Sequence, residues 1–368
     1  MLLGTTLLVK GIEMKVRMII IGGFLGAGKT TLITKLAKEL KMSGVNVGII
    51  MNDQADSLVD TQYAEALGLT SGEVAGGCFC CQFPVFLNKA EELIDTSKSQ
   101  MLIAEPVGSC TDLLATVVAP LQVLYSDMFE VAPLTIMVDA IRILEEGFDR
   151  HSVSGYLRAH QLEEAELVVL SKADLVSLED MQRAVEMVRK INPEAEIVIH
   201  SSVNGQGFAD VVEAVTSNVV STRRPKDIDY DLYAQAEAEL GWYNGTMVLD
   251  FGQGIDSYDL GKKILEGFSA RYPKGNIAHA KIMLSSESNA LKMSSVRGMV
   301  SIDAANGSRL SEGKGKLTIN ARVVSNPELL RNNIRTMLKE VLGVDVLSFE
   351  SEDSFAPSPP KPFHRMVD

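Results

Sequence analysis

Val16-Arg-Met-Ile-Ile-Ile-Gly-Gly-Phe-Leu-Gly-Ala-Gly-Lys-Thr-Thr31 decides the fold. Its first six residues form a short, almost continuous apolar run, the pattern of a strand buried on both faces. Glycines interrupt the run. From Lys29 to Lys41 the apolar residues Leu32, Ile33, Leu36, Ala37 and Leu40 then recur at helical spacing. Between strand and helix lies Gly23-x4-Gly28-Lys29-Thr30, the full phosphate-loop pattern. Gly23, Gly26 and Gly28 let the backbone turn tightly and aim N–H groups at phosphate oxygens. The helix opening near Lys29 adds its positive end. Lys29 brings a point charge to the β- and γ-phosphates, and Thr30 offers a hydroxyl to Mg²⁺.

Further apolar runs at residues 45–51, 99–104, 134–138, 166–170 and 196–200 read as strands, with helical patterns at 84–95, 178–190 and 208–217. Strands alternating with helices imply an α/β domain whose parallel sheet is covered on both faces, placed at 14–222. Residues 1–13 read as an N-terminal arm, and the charged, proline-containing stretch after 222 as a linker over 223–240. Beyond it the pattern changes to a strand at 246–251, a helix at 257–272, and three strands near 277–284, 292–301 and 316–324. A last helix has Ser325 or Asn326 as N-cap and Pro327 at its first position. This predicts a smaller α+β domain with an antiparallel sheet over 241–350. The tail 351–368 contains Ala356-Pro-Ser-Pro-Pro-Lys-Pro362 and reads as extended, either a loose end or a clasp on a domain surface.

Two further stretches belong with the phosphate loop. Gln100-Met-Leu-Ile-Ala-Glu105 is a buried strand ending in a carboxylate, with Gly108 three residues on. Glu105 there can hold Mg²⁺, and the Gly108 N–H can meet the γ-phosphate. Asn52-Asp53 follows the second strand at the natural switch position, where Asp53, Asp56 or Asp60 can meet Mg²⁺ or attacking water. Base choice is read from Leu170-Ser-Lys-Ala-Asp174. Asp174 can accept from guanine N1 and N2, a donor pair that adenine lacks. The Lys172 stem can lie along the base, and Ser171 stands where GTPases usually carry Asn. The nucleotide-holding set is then Gly23, Gly26, Ala27, Gly28, Lys29, Thr30, Thr31, Gly108, Ser171, Lys172 and Asp174. Lys29, Asp53 and Glu105 are the catalytic candidates.

Of four cysteines, Cys78, Cys80 and Cys81 fall within four residues, and Cys110 lies two beyond Gly108. A secreted disulfide framework would spread them, whereas clustered thiolates suit a soft or borderline cation such as Zn²⁺, Cu(I) or Ni²⁺. Buried structural cysteines and a redox switch are the competing readings. The five histidines are scattered and none is assigned to metal. A net charge of −13 argues against nucleic acid or an anionic membrane as partner. With 46% hydrophobic and 23% charged residues and no apolar run near ~20 residues, a cytoplasmic globular protein is expected.

Taken together, these residues resemble the CobW-like metallochaperone GTPases, relatives of UreG and HypB. The likeness runs over most of 17–215. Its carriers are Gly23-Phe-Leu-Gly-Ala-Gly-Lys-Thr-Thr31, Asn52-Asp53, Gly77-Cys-Phe-Cys-Cys81, Glu105-Pro-Val-Gly108, Val138-Asp-Ala140, Gln161, Ala165 and Ser171-Lys-Ala-Asp174. The resemblance implies slow hydrolysis of GTP to GDP coupled to handling a transition metal at Cys78, Cys80 and Cys81. Zinc is the usual ion, and cobalt or nickel is open. It further implies docking to a client metalloprotein and leaves a homodimer open. The alternative is a GTP-dependent switch assisting a cobalamin-related or other metalloenzyme, with a structural zinc. Ser171 for Asn, Asp53 for Glu and the missing histidine-rich stretch depart from the family pattern.

Overall fold

The computed structural model describes residues 8–9, 12–13, 15–52, 59–60, 64, 68–74 and 76–367. Eight parallel strands make the first sheet: β1 (Val16–Gly23), β2 (Val47–Asn52), β3 (Thr70–Val74), β4 (Met101–Glu105), β5 (Phe129–Val131), β6 (Thr135–Asp139), β7 (Leu167–Ser171) and β8 (Glu196–Ile199). Their order is β8-β7-β6-β1-β4-β2-β3, with β5 beside the start of β1. Alternation along β1 sends Ile19 and Ile21 into a core with helix α1 (Lys29–Met42). Met18 and Ile20 enter the opposite core with α2 (Phe83–Ser97). All four side chains are fully buried, worth roughly 1.5–3 kcal/mol each. The central strand β1 is thereby fixed, and the phosphate loop at its end with it. The parallel sheet expected from the sequence is present. Strand β3 and the helices α3 (Ala119–Leu124), α4 (Ala140–Glu146) and α5 (Val153–Glu164) join it. Helices α6 (Leu178–Ile191) and α7 (Phe208–Thr216) complete the layers.

Residues 230–238, read from sequence as linker, form helix α8 (Tyr230–Ala238), capped by the Asp229 carboxylate. Tyr233, Ala236 and Glu237 bury against the first domain, and the charged, proline-containing residues that suggested a linker precede the helix.

The second sheet is antiparallel, as expected, and has six strands: β9 (Leu240–Asp250), β10 (Ile277–Ser286), β11 (Asn289–Val296), β12 (Met299–Gly307), β13 (Lys314–Val324) and β14 (Phe349–Phe355), in the order β12-β11-β10-β13-β9-β14. The single strand expected at 292–301 is a hairpin, β11 and β12. Arg297 and Gly298, both at positive φ, turn the chain between them. The first residues of the expected tail belong to β14, an edge strand on β9. Helices α9 (Ser257–Ser269) and α10 (Pro327–Leu342, N-capped by Asn326) cover one face with an apolar core. The other face carries Asn244, His279, Lys281, Lys292, Asn320 and Arg322, all polar or charged and nearly all buried. It is seated on the first domain. Arg142 Nη2 donates to Ala278 O at 3.2 Å, Arg297 pairs with Glu145 and Glu146, and Val59 N donates to Asn320 Oδ1 at 2.9 Å. Among the described residues, no helix is long and apolar enough to cross a membrane.

Candidate functional site

At the end of β1, Gly23, Gly26 and Gly28 take φ of 127°, 80° and 97°, conformations that disfavour a side chain. Space excludes one as well. A Cβ on Gly23 would stand 2.3 Å from Met137 O, and one on Gly26 2.8 Å from the Val296 side chain of β11. Lys29 folds over the loop and donates from Nζ to Gly23 O at 2.8 Å, 4.0 Å from Glu105 Oε1. Thr30 Oγ1 donates to the same Glu105 Oε1 at 3.0 Å. Burial pushes the Glu105 carboxyl up against the pull of Lys29, and pushes the Lys29 ammonium down. Among the described residues, Glu105 Oε2 is buried without a hydrogen-bond partner. An orphaned carboxylate oxygen beside the Thr30 hydroxyl is a hard oxygen donor set that fits Mg²⁺.

The base end is held to this loop. Ser171 Oγ, at the end of β7, donates to Ala27 O at 2.8 Å and to Val138 O at 3.2 Å. Lys172 Nζ pairs with Asp139 Oδ2 at 2.6 Å, and Asp174 accepts from Ser201 Oγ. Both ring nitrogens of His200 are engaged, by Gln206 O and Ser202 Oγ. Gly26, Ala27, Gly28, Lys29, Thr30, Thr31, Glu105, Gly108, Ser171, Lys172 and Asp174 line one cavity of about 650 Å³, a volume suited to a nucleotide. Gly23 sits behind it as backbone. Of the expected switch carboxylates, Asp53 and Asp56 lie outside the described residues. Asp60 reaches the cavity, but two lysines of the second sheet grip it, Lys281 and Lys292, the latter at 2.6 Å. Burial alone would raise the Asp60 carboxyl, but the two ammonium groups outweigh it and hold it far below the usual carboxylate range.

The Sγ atoms of Cys78, Cys80 and Cys81 lie within 4.8 Å of one another. Cys78 to Cys81 is 3.3 Å and Cys80 to Cys81 is 3.8 Å. Tetrahedral zinc with ~2.3 Å bonds needs sulfurs ~3.8 Å apart, so the trio needs only a small opening. Cys110 is a fourth buried thiol, near enough to perturb the trio without belonging to the group within 4.8 Å. Bonds from Cys110, Cys80 and Cys81 hold the Cys78 thiol well below its usual range, while Cys80 and Cys110 are pushed up and Cys81 rises to about 11.

Asn52 anchors the loop that carries the trio. Its Nδ2 donates to Val74 O and Gly77 O at 2.8 and 2.7 Å, and its Oδ1 accepts from Phe79 N at 2.7 Å. Gln161 Nε2 donates to Gly108 O and Cys110 O, fixing the loop after Glu105.

One group here escaped the sequence reading, and a second is the tail, whose role the sequence left open. Glu237 of α8 accepts from Ser109 Oγ and is raised to about 7 by burial beside the thiols. The C-terminal tail crosses the cluster. Lys361 N donates to Cys81 Sγ at 3.2 Å, Phe363 N to Cys80 O at 2.8 Å, and Arg365 Nε to Asp112 Oδ2 at 2.8 Å. Of the two roles expected for the tail, it takes the clasp.

The family model for the CobW/HypB/UreG nucleotide-binding domain matches residues 17–199. The chain belongs to the CobW/HypB/UreG family. As a member it is a P-loop GTPase, and its phosphate loop, Glu105 strand and cysteine loop all fall within the matched span. This CobW-family chain is similar to the zinc chaperone CobW of Sinorhizobium sp, 24% identical over 262 residues, 62% of this chain and 73% of that one. It is also similar to the hydrogenase maturation factor HypB of Escherichia coli K12, 27% identical over 185 residues, half of this chain and 57% of that protein. The Zn(II)-bound YjiA GTPase of E. coli superposes on 88% of the chain and 99% of its own length at 17% identity and TM-score 0.40, too loosely to bear on function.

Proposed function

We propose that this CobW-family chain is a metallochaperone that couples its GTP state to the holding and release of a transition metal, zinc first, with cobalt or nickel as alternatives. One observation carries the reading: the loop from Glu105 to Cys110 starts at the Thr30 hydroxyl and ends at a buried thiol beside the cysteine trio. A displacement of Glu105 by nucleotide therefore has five residues of buried chain in which to reach a metal ligand. Asn52 supplies a second strut, because the residue after it opens the switch and its side chain holds the cysteine loop.

In this reading Lys29 and the loop amides hold the phosphates. Thr30 and Glu105, with Asp53, organise Mg²⁺, which when bound offsets charge on the β- and γ-phosphates. Asp174 selects guanine, Lys172 flanks the base, and Ser171 ties the base loop to Ala27. Cys78, Cys80 and Cys81 take the cargo ion, and Cys110 is the fourth thiol within reach. Its partner is a client metalloprotein.

A second reading has a specific observation in its favour. Cys78 and Cys80 are buried and the tail crosses them, as suits a permanently held structural zinc in a switch that assists a cobalamin-related or other metalloenzyme. Chelator competition separates the two. Cargo zinc leaves faster in one nucleotide state. Structural zinc leaves at one rate in both, and only as the fold opens, and that result would overturn the chaperone reading.

A further inference from the structure

The wall of the nucleotide cavity opposite the phosphate loop belongs to the C-terminal sheet, and its charge is unbalanced. Lys29, Lys281 and Lys292 line the cavity together with Arg322, facing the carboxylates Asp60 and Glu105, and Asp303 of β12 lines the same wall. The Lys281 side chain is 17% exposed and that of Lys292 2%, so water does little to screen them. Asp60 takes one lysine on each oxygen. Burial opposes the charged form of Lys281, yet Asp60 and Glu105 keep it raised, while Lys281 in turn helps depress Lys29. The two lysines therefore stand within electrostatic reach of each other across the cavity. His279 lines the same wall and is buried, and its Nδ1 makes no hydrogen bond among the described residues. Val296 of β11 touches the phosphate loop at Gly26, so the wall is seated on the loop itself.

We propose that Lys281 is a cation supplied in cis by the C-terminal domain to the terminal phosphate of a bound nucleoside triphosphate, and that Asp60 occupies its ammonium group until that phosphate arrives. This rests on the reading of the cavity as a GTP site and adds which residue distinguishes triphosphate from diphosphate. A γ-phosphate brings several anionic oxygens to a wall whose cations Lys281, Lys292 and Arg322 outnumber its one carboxylate, Asp303. Binding it transfers Lys281 from the Asp60 carboxylate to a phosphoryl oxygen and leaves Asp60 with Lys292 alone. The C-terminal domain thus registers the nucleotide state directly, through the strands that hold it to the first domain.

The test uses the full chain and equilibrium titration with a non-hydrolysable GTP analogue and with GDP. Lys281→Ala is expected to weaken the analogue by on the order of tenfold to a hundredfold while GDP stays within about threefold. Lys281→Arg is expected to recover most of the loss. An equal fall for both nucleotides, or no change in either, would overturn the assignment, since a merely structural lysine gives one or the other. Should the variants not fold, wild-type protein answers through amine acetylation mapped by mass spectrometry. Lys281 is to be protected by the analogue and not by GDP, and equal protection contradicts the proposal. Wild-type protein that binds neither nucleotide would instead defeat the GTP reading beneath it.

Discussion

The phosphate cavity and the thiol cluster stand at opposite ends of residues 105–110, yet they are prepared in opposite ways. In the cavity cations are paired with carboxylates. Lys29, Lys281 and Lys292 are held against carboxylates that a polyanion can displace. In the cluster most charge is quenched. Cys80, Cys81 and Cys110 are driven towards the neutral thiol, while their neighbour Cys78 is pulled the other way, and the tail lies across the trio. An anion site built this way fills readily. A thiol site built this way must release protons and shift a strap of chain before it fills, so small changes in loop geometry govern it.

The contrast is sharpest in pH. The raised thiols of Cys80 and Cys81 must each lose a proton to bind zinc, while the lowered Cys78 thiol gives up its proton more readily. Affinity therefore rises with pH and falls as acid restores those protons. Competition titrations from pH 6 to 8 are expected to give a slope of about 2 in log affinity against pH. A flat profile would show that the trio is already ionised and dissolve the contrast. Next in size, Lys29→Ala is expected to lower GTP hydrolysis by on the order of a hundredfold or more while metal analysis still finds one zinc per chain. Loss of zinc with the lysine would merge the two regions into one. The smallest effect belongs to the strap. Arg365→Ala removes a charged hydrogen bond to the buried Asp112, and thiol labelling of Cys81 is expected to quicken by about tenfold. An unchanged rate would mean that the tail covers nothing that matters to access.

The two regions also differ in how far they can be read from sequence. The phosphate loop, the Glu105 strand and the cysteine trio are local patterns, each contained in about ten residues. Their chemistry follows from spacing, and the parallel sheet follows from the apolar runs that carry them. What closes the sites comes from far along the chain. The alternation Thr318, Asn320, Arg322 on β13 looks like a solvent-facing row, because polar side chains are ordinarily exposed. Here that row is buried against another domain, and nothing local says so. The same holds for Lys281 and Lys292. Helix α8 was hidden by the charged, proline-containing stretch before it, and its apolar side is only Tyr233 and Ala236 wide. The tail's prolines correctly exclude helix, but whether an extended segment floats or clasps depends on contacts across some 280 residues, such as Lys361 with Cys81.

A metallochaperone of this kind requires coupling between the two sites, and coupling is reciprocal. The most direct measurement is zinc affinity of the full chain loaded with a non-hydrolysable GTP analogue and with GDP, repeated as nucleotide affinity with and without zinc. The expected result is a difference in zinc affinity of at least about fivefold between the two nucleotide states, matched by the same factor in the preference for analogue over GDP when zinc is bound. Equal zinc affinity in both states would contradict it and leave two sites that share a fold without sharing a function.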